Sequence, residues 1–173
     1  MLNLPRNDMS ATNSLHYELC KLGAKFLMSR KNAEHWHTPN KFAVVELICQ
    51  GAENPDIWAT NGMYTTLVEV KTSRSDFLAD KRKYVRSKDA EEQDMQLGNF
   101  RYYLCPAGVI SVEDLPENWG LLEYDGKKIH KIQAAKQVKS SAPFEISVMS
   151  SIMTRILRPQ IFNFREHTDI KFI

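Results

Sequence analysis

Three residues near the middle of the chain have the types and spacing of a hydrolytic metal site: Asp56, which follows Pro55, and the pair Glu69 and Lys71. Between the two acids lies Asn61-Gly62, a strong signal for a tight hairpin. Such a turn carries the acids back toward each other and sets both carboxylates at one end of neighbouring strands. Two clustered carboxylates are unfavourable alone and become favourable around a hard divalent cation, and Mg2+ takes oxygen ligands. In an extended run alternate residues share a face, so Leu67, Glu69 and Lys71 project one way and Val68 and Val70 the other. The Lys71 ammonium then stands beside the acid, where it can hold an attacking water or offset the charge of a phosphate. A cation in the pocket polarises a phosphoryl oxygen and lowers the pKa of its bound water. On its own, an E-x-K tripeptide on a strand is more often a surface ion pair. Its weight here comes from the P-D at hairpin distance, from Glu46 in an apolar run, and from the basic segment that follows directly.

The elements that must position these residues are legible in the pattern. Leu15, Leu19, Leu22 and Phe26, widened by Cys20 and Leu27, recur at helical spacing over residues 14–30, with Asn13 or Ser14 as the cap. Residues 31–41, with His35, Trp36, His37 and Pro39, read as a loop. Residues 42–49 (FAVVELIC) form a short apolar run rich in Val, which predicts a strand buried on both faces and central in a sheet. Glu46 inside it is an anomaly, because burying a carboxylate is expensive unless it is paired or binds a metal. Residues 56–60 and 63–71 are the two strands of the hairpin. Ser73 followed by Asp76 resembles a capping box and predicts a helix from Arg74 or Ser75, with Phe77, Leu78, Lys81, Tyr84 and Val85 on its inner side. After the acidic stretch 89–96 come a strand at 100–105, a short helical turn at 112–115, a hairpin of 120–124 with 128–132 around Asp125-Gly126, and a helix at 144–157. The order predicts one mixed α/β sheet flanked by helices, in a single domain spanning residues 14–173 behind a loose segment 1–13.

Composition is that of a soluble globular protein, 43% hydrophobic and 25% charged, which excludes disordered and collagen-like classes. Net charge is only +2, but its distribution is uneven. Residues 69–88 carry Lys71, Arg74, Lys81, Arg82, Lys83, Arg86 and Lys88, and residues 127–139 carry five lysines and no acid. Together they could make one electropositive face, although either stretch alone reads equally well as solvated surface. Cys20, Cys49 and Cys105 form no CxxC pair and read as small core residues. The N-terminal residues lack an apolar signal core, and no run approaches the ~20 apolar residues needed to span a bilayer. A cytoplasmic protein with no membrane partner is expected. His35-x-His37 lacks a third ligand nearby and reads as structural or exposed, and His16, His130 and His167 read as isolated. Trp58, Trp119 and Tyr102 read as core; Trp36 could stack on a base, with packing the commoner role.

Residues 46–84 (ELICQGAENPDIWATNGMYTTLVEVKTSRSDFLADKRKY) resemble the core of PD-(D/E)XK nucleases, and are similar more closely to the MmcB-like DNA-repair group and its phage and bacterial relatives. The E-V-K followed by S-R-S-D-F-L-A-D-K, and GNFRYYLCP at residues 98–106 leading to LPENWGLL, are the specific parts. The resemblance covers roughly residues 14–136. It implies a restriction-endonuclease-like fold, an α-β-β-β-α-β core with extra C-terminal strands and a helix. It implies a DNA endonuclease dependent on Mg2+ or Mn2+, with Asp56 and Glu69 as metal ligands and Lys71 as the catalytic lysine. The extra acid that such proteins often carry on the first helix or first strand is Glu46 here, with Glu18 as the other candidate. Asp76 and Asp80 match acids of the close relatives, Asp76 as a helix cap and Asp80 as the partner of a neighbouring Lys or Arg. Arg74, Lys81, Arg82 and Lys83, directly behind the active strand, are the candidate phosphate contacts on DNA. Two alternatives stay open, a catalytically silent nucleic-acid-binding module on the same fold and a structural partner protein, and so does a homodimer. Replacing Glu69 or Lys71 by Ala is expected to abolish cleavage and leave the fold intact.

Overall fold

The computed structural model describes residues 9–33, 38–49, 53–83 and 96–161, with residues 9–14 and 157–161 described as backbone only. In chain order the described residues hold α1 (Met9–Met28), β1 (Phe42–Val45), β2 (Ile57–Thr60), β3 (Thr65–Val70), α2 (Arg74–Asp80), β4 (Phe100–Pro106), β5 (Gly120–Tyr124), β6 (Ile129–Gln133) and α3 (Ala142–Ile161). Short 3-10 turns lie at Arg30–Asn32 and Val112–Asp114. The six strands pair in sequence order in one sheet. β1–β2, β2–β3 and β5–β6 are antiparallel, whereas β3–β4 and β4–β5 are parallel. This is a mixed α/β fold, with the crossover through α2 making the first parallel pair, as a parallel connection requires.

Each strand alternates its side chains between two apolar layers. On one face Ala43, Val45, Ile57, Ala59, Val68, Val70, Tyr102 and Leu104 pack with Leu19, Cys20, Ala24 and Leu27 of α1. On the other, Val44, Trp58, Leu67, Tyr103, Cys105, Trp119 and Leu121 pack with Phe77 of α2 and Val148 and Ile152 of α3. The predicted alternation therefore holds: Leu67 and Val68 separate to opposite faces, and the core roles of Trp58, Trp119 and Tyr102 are as expected. The three cysteines are free and buried. Both predicted hairpin turns are present. Asn61 Oδ1 accepts from the N–H groups of Met63 and Tyr64 at 2.9 and 2.8 Å, and Gly62 and Gly126 take positive φ. No described helix is long and apolar enough to cross a membrane.

Four details differ from the expectations. α1 begins at Met9, so residues 9–13 are helical rather than loose, and Asn13 and Ser14 lie within the helix instead of capping it. β1 is an edge strand, not a central one. Its apolar character on both faces comes from α1 on one side and α3 on the other, a sandwich that does not need a strand on each flank. The strand also stops at Val45: Glu46 has φ 50° and a half-exposed side chain, so the carboxylate is not buried. In α2 the inward positions are Phe77 and Asp80, while Leu78 and Lys81 face solvent. Two turns of helix offer one narrow inner face, and an acid fills half of it. Tyr84, Val85 and the histidines at 35 and 37 lie outside the described residues.

Gly120 is where β5 enters beside β4. A Cβ there would overlap the Tyr102 ring and lie 2.7 Å from the Ala135 nitrogen, whose N–H donates to the Tyr102 hydroxyl at 3.0 Å. Gly120→Ala is expected to destabilise the fold by about 1–3 kcal/mol through overpacking. The check is a lower urea midpoint with the slope of the transition unchanged.

Candidate functional site

The β2–β3 register sets the first part of the site. Ile57 pairs with Val68, so one step further along the antiparallel ladder Asp56 falls opposite Glu69. Directly opposed residues have Cβ atoms about 4.5–5.5 Å apart. Asp56 sits at the mouth of β2, where its Oδ2 accepts from the Val70 N–H at 2.7 Å. That charge-assisted bond anchors the carboxylate at the strand end. The next backbone step is also secured, with Lys71 N–H donating to Leu104 O at 2.9 Å.

Glu69 and Lys71 project from β3 toward α2, as the alternation requires. Lys71 Nζ lies 3.0 Å from Glu69 Oε2 and 3.2 Å from Asp80 Oδ1. Asp80, on the inner face of α2, accepts from the Tyr103 hydroxyl at 2.8 Å and meets Lys83 Nζ at 2.7 Å. Lys83 Nζ is 4.0 Å from Glu69 Oε2. Glu69, Lys71 and Asp80 are 2%, 4% and 1% exposed, so this is a buried chain of alternating charge. Burial pulls the Lys71 ammonium toward neutrality, but the attraction of Glu69, then Asp80 and Asp56, outweighs it and holds the group above the ordinary lysine value. The two acids thus favour the charged form of Lys71, which suits it to offsetting negative charge. The expectation that Asp80 pairs with a neighbouring basic residue is met by Lys71 and Lys83 together. Ser73 caps α2, its hydroxyl accepting from the Asp76 N–H at 3.2 Å.

His16, read from the sequence as isolated, is a member of the site. Its Nε2 lies 3.4 Å from Asp56 Oδ2 and its Nδ1 3.7 Å from Glu46 Oε1. The hydrogen bond to Asp56 raises the imidazole above its usual value; burial opposes this, and the charges of Asp56 and Glu46 support it. Cys20, one helical turn on, places Sγ 3.7 Å from His16 Nδ1, and burial pushes its thiol well up. The only sequence signal for this pair was their i, i+4 spacing, which α1 shares with many ordinary helices. Glu46 and Asp56 thus meet His16, while Glu69 and Asp80 meet Lys71 and Lys83, and the β2–β3 register sets the first group beside the second at Asp56 and Glu69. Carboxylate oxygens are the donors that a hard divalent cation takes.

The other candidates are placed differently. Glu18 is 63% exposed and pairs with Lys21 at 3.7 Å; His16, two residues earlier on α1, takes the position beside the acids. Arg74 forms a two-pronged pair with Asp114, its Nη2 donating to Oδ1 at 2.8 Å, and this holds the Asp114 carboxyl well below the usual range. Lys81 Nζ donates to the Asp114 backbone oxygen at 2.8 Å. With Lys83 turned to Asp80, Arg82 is the member of the four that is exposed and has neither an ion pair nor a side-chain hydrogen bond among the described residues.

No family model matches the chain, and no curated protein does. Among solved structures, a protein of unknown function from Silicibacter pomeroyi is similar at 16% identity and a TM-score of 0.49, over 73% of this chain and 84% of that one.

Proposed function

We propose that this chain is a metal-dependent nuclease that hydrolyses phosphodiester bonds in DNA, on a restriction-endonuclease-like core of the PD-(D/E)XK type akin to the MmcB-like repair group. The observation that supports the reading is the backbone placement of Asp56 beside the Glu69–Lys71 pair. Asp56 falls opposite Glu69 across the β2–β3 ladder, and Lys71 Nζ lies 3.0 Å from Glu69 on the same face. The element order α1-β1-β2-β3-α2-β4 agrees with the α-β-β-β-α-β core that the sequence resemblance implies.

Asp56 and Glu69 would hold Mg2+ or Mn2+. When bound, the ion supplies Lewis-acid polarisation of a phosphoryl oxygen and a more acidic water. The Val70 N–H keeps Asp56 in place through Oδ2 and leaves Oδ1 for the cation. Lys71, kept cationic by Glu69 and Asp80, offsets negative charge that develops on the phosphate. Asp80, Tyr103 and Lys83 act at one remove by fixing the Lys71 ammonium. Arg82 is the best placed of the basic residues behind β3 for a backbone phosphate.

A second reading has its own support. Glu69 and Lys71 are almost fully buried and tied into a closed charge network, as in a catalytically silent nucleic-acid-binding module whose E-x-K serves the fold. The two separate in one assay: labelled single-stranded, branched, damaged and duplex DNA with Mg2+, Mn2+ or EDTA. The nuclease reading expects metal-dependent cleavage by the native protein. It also expects a loss of about 100-fold or more in Glu69→Gln, a variant that keeps the side-chain shape. Binding without turnover on every substrate would establish the module instead.

A further inference from the structure

We propose that His16, Cys20 and Glu46 form a distinct metal site that takes Zn2+, beside the Asp56–Glu69 pair and independent of any nuclease activity. The three ligand atoms lie within 4.8 Å of one another, with Cys20 Sγ and Glu46 Oε1 each 3.7 Å from His16 Nδ1. Zinc bonds of about 2.0–2.3 Å at tetrahedral angles put ligand atoms roughly 3.5 Å apart. The two edges to His16 need shifts of a few tenths of an ångström, and the Cys20–Glu46 edge, at no more than 4.8 Å, closes by a turn of the half-exposed Glu46 side chain.

The surroundings are those of a metal-ligating histidine. Such a residue donates its second ring N–H to a carboxylate, which sets the tautomer and aims the other nitrogen. His16 Nε2 faces Asp56 Oδ2 at 3.4 Å, and Asp56 is itself held by the Val70 N–H at 2.7 Å. That tautomer leaves the Nδ1 lone pair directed to where Cys20 and Glu46 converge. Two ligands sit one turn apart on a single helix, so α1 holds their spacing. The third comes from Glu46, whose left-handed backbone (φ 50°) is uncommon for a residue with a side chain. Such strain clusters at functional positions. The Glu46 N–H donates to Asp56 O at 2.8 Å, which locks that conformation.

Ligand chemistry selects the ion. A thiolate with an imidazole favours Zn2+ over Mg2+ or Mn2+, which prefer oxygen donors. Cys20 lies fully buried and Glu46 half exposed, so the site is dry on the core side and open on the other. That leaves a fourth position for water. Binding exchanges the Cys20 S–H proton, released to solvent, for the sulfur–metal bond.

Co2+ as a spectroscopic stand-in for Zn2+ tests this on the full chain in excess Mg2+. A thiolate-to-cobalt charge-transfer band is expected, bleached by Zn2+ and absent in Cys20→Ser. In Glu46→Gln, at an exposed position, affinity should fall about tenfold or more. Should Cys20→Ser fail to fold by circular dichroism, His16→Gln takes its place, with the same loss expected. No cobalt binding overturns the proposal, as does binding without a sulfur band or a band that survives Cys20→Ser. Absence of DNA cleavage bears only on the nuclease reading, since the readout here is the cobalt–sulfur bond.

Discussion

Lys71→Ala is expected to lower the unfolding free energy by about 3–5 kcal/mol, the scale for removing one partner of a buried ion pair. The Lys71 ammonium lies between Glu69 and Asp80, and both acids are at most 2% exposed. Without it, two carboxylates remain in the interior with Lys83 as a nearby cation among the described residues. Lys83 reaches in from an exposed position, 2.7 Å from Asp80 but 4.0 Å from Glu69, so it compensates one acid better than the other. Urea denaturation followed by circular dichroism gives the number. Combining Lys71→Met with Glu69→Gln and Asp80→Asn should recover much of the loss, because no buried charge is then left uncompensated. A single-variant loss under about 1 kcal/mol would mean that water reaches the network freely, as at an exposed pair. Burial thus changes one expectation drawn from the sequence: an alanine at residue 71 is not a clean catalytic knockout. Lost cleavage there reports folding as well as chemistry, whereas Glu69→Gln leaves the Lys71–Asp80 pair in place.

The second large effect is expected at Glu145, on the first turn of α3. Its Oε2 accepts from Trp58 Nε1 at 2.8 Å. Its Oε1 accepts from the Thr65 hydroxyl and the Gly98 N–H, both at 2.8 Å. One carboxylate therefore joins α3 to β2, to β3 and to the segment entering β4. Glu145→Ala strands the Trp58 and Gly98 donors, while the Thr65 hydroxyl still has Asn99 Oδ1 at 3.3 Å, and each buried donor left unsatisfied costs about 1–3 kcal/mol. Glu145 is partly exposed, so water replaces some of these bonds, and a total of about 2–4 kcal/mol is expected. Trp58 is 1% exposed, which makes its indole N–H the costlier of the two. Glu145→Gln keeps an acceptor oxygen and should recover part of the loss. Trp58 sits two residues from Asp56, so the same variant should also loosen the mouth of β2. Faster hydrogen exchange at the Val70 amide, which donates to Asp56, reads that out. An unchanged Val70 amide in a destabilised Glu145→Ala protein would separate the α3 anchor from the site.

Local pattern by itself makes part of the site legible. Strand alternation placed Glu69 and Lys71 on one face, Asn61-Gly62 turned the chain so that Asp56 came back to Glu69, and Ser73 marked the start of α2. These are short-range rules: a two-residue period, a turn dipeptide and a cap act within a few residues. The same rules misread β1, because an apolar run records that both faces are covered and not what covers them. Helices on each side leave an edge strand as buried as a central one. Glu46 looked buried for the same reason, while its left-handed backbone ends the strand and turns the carboxylate outward.

Tertiary packing alone decided which charges meet. Asp80 is eleven residues from Glu69 and on another element, yet the seating of α2 on the sheet brings it to Lys71. Asp114 takes Arg74 and Lys81 across 40 and 33 residues, which no local pattern encodes. His16 reaches Asp56 and Glu46 because α1 lies against the mouth of the β1–β2 pair. Attraction between charges depends on distance through space and on the dielectric around them, and both arise from how helices seat on the sheet. Residue order along the chain names the candidates; only the packed molecule pairs them.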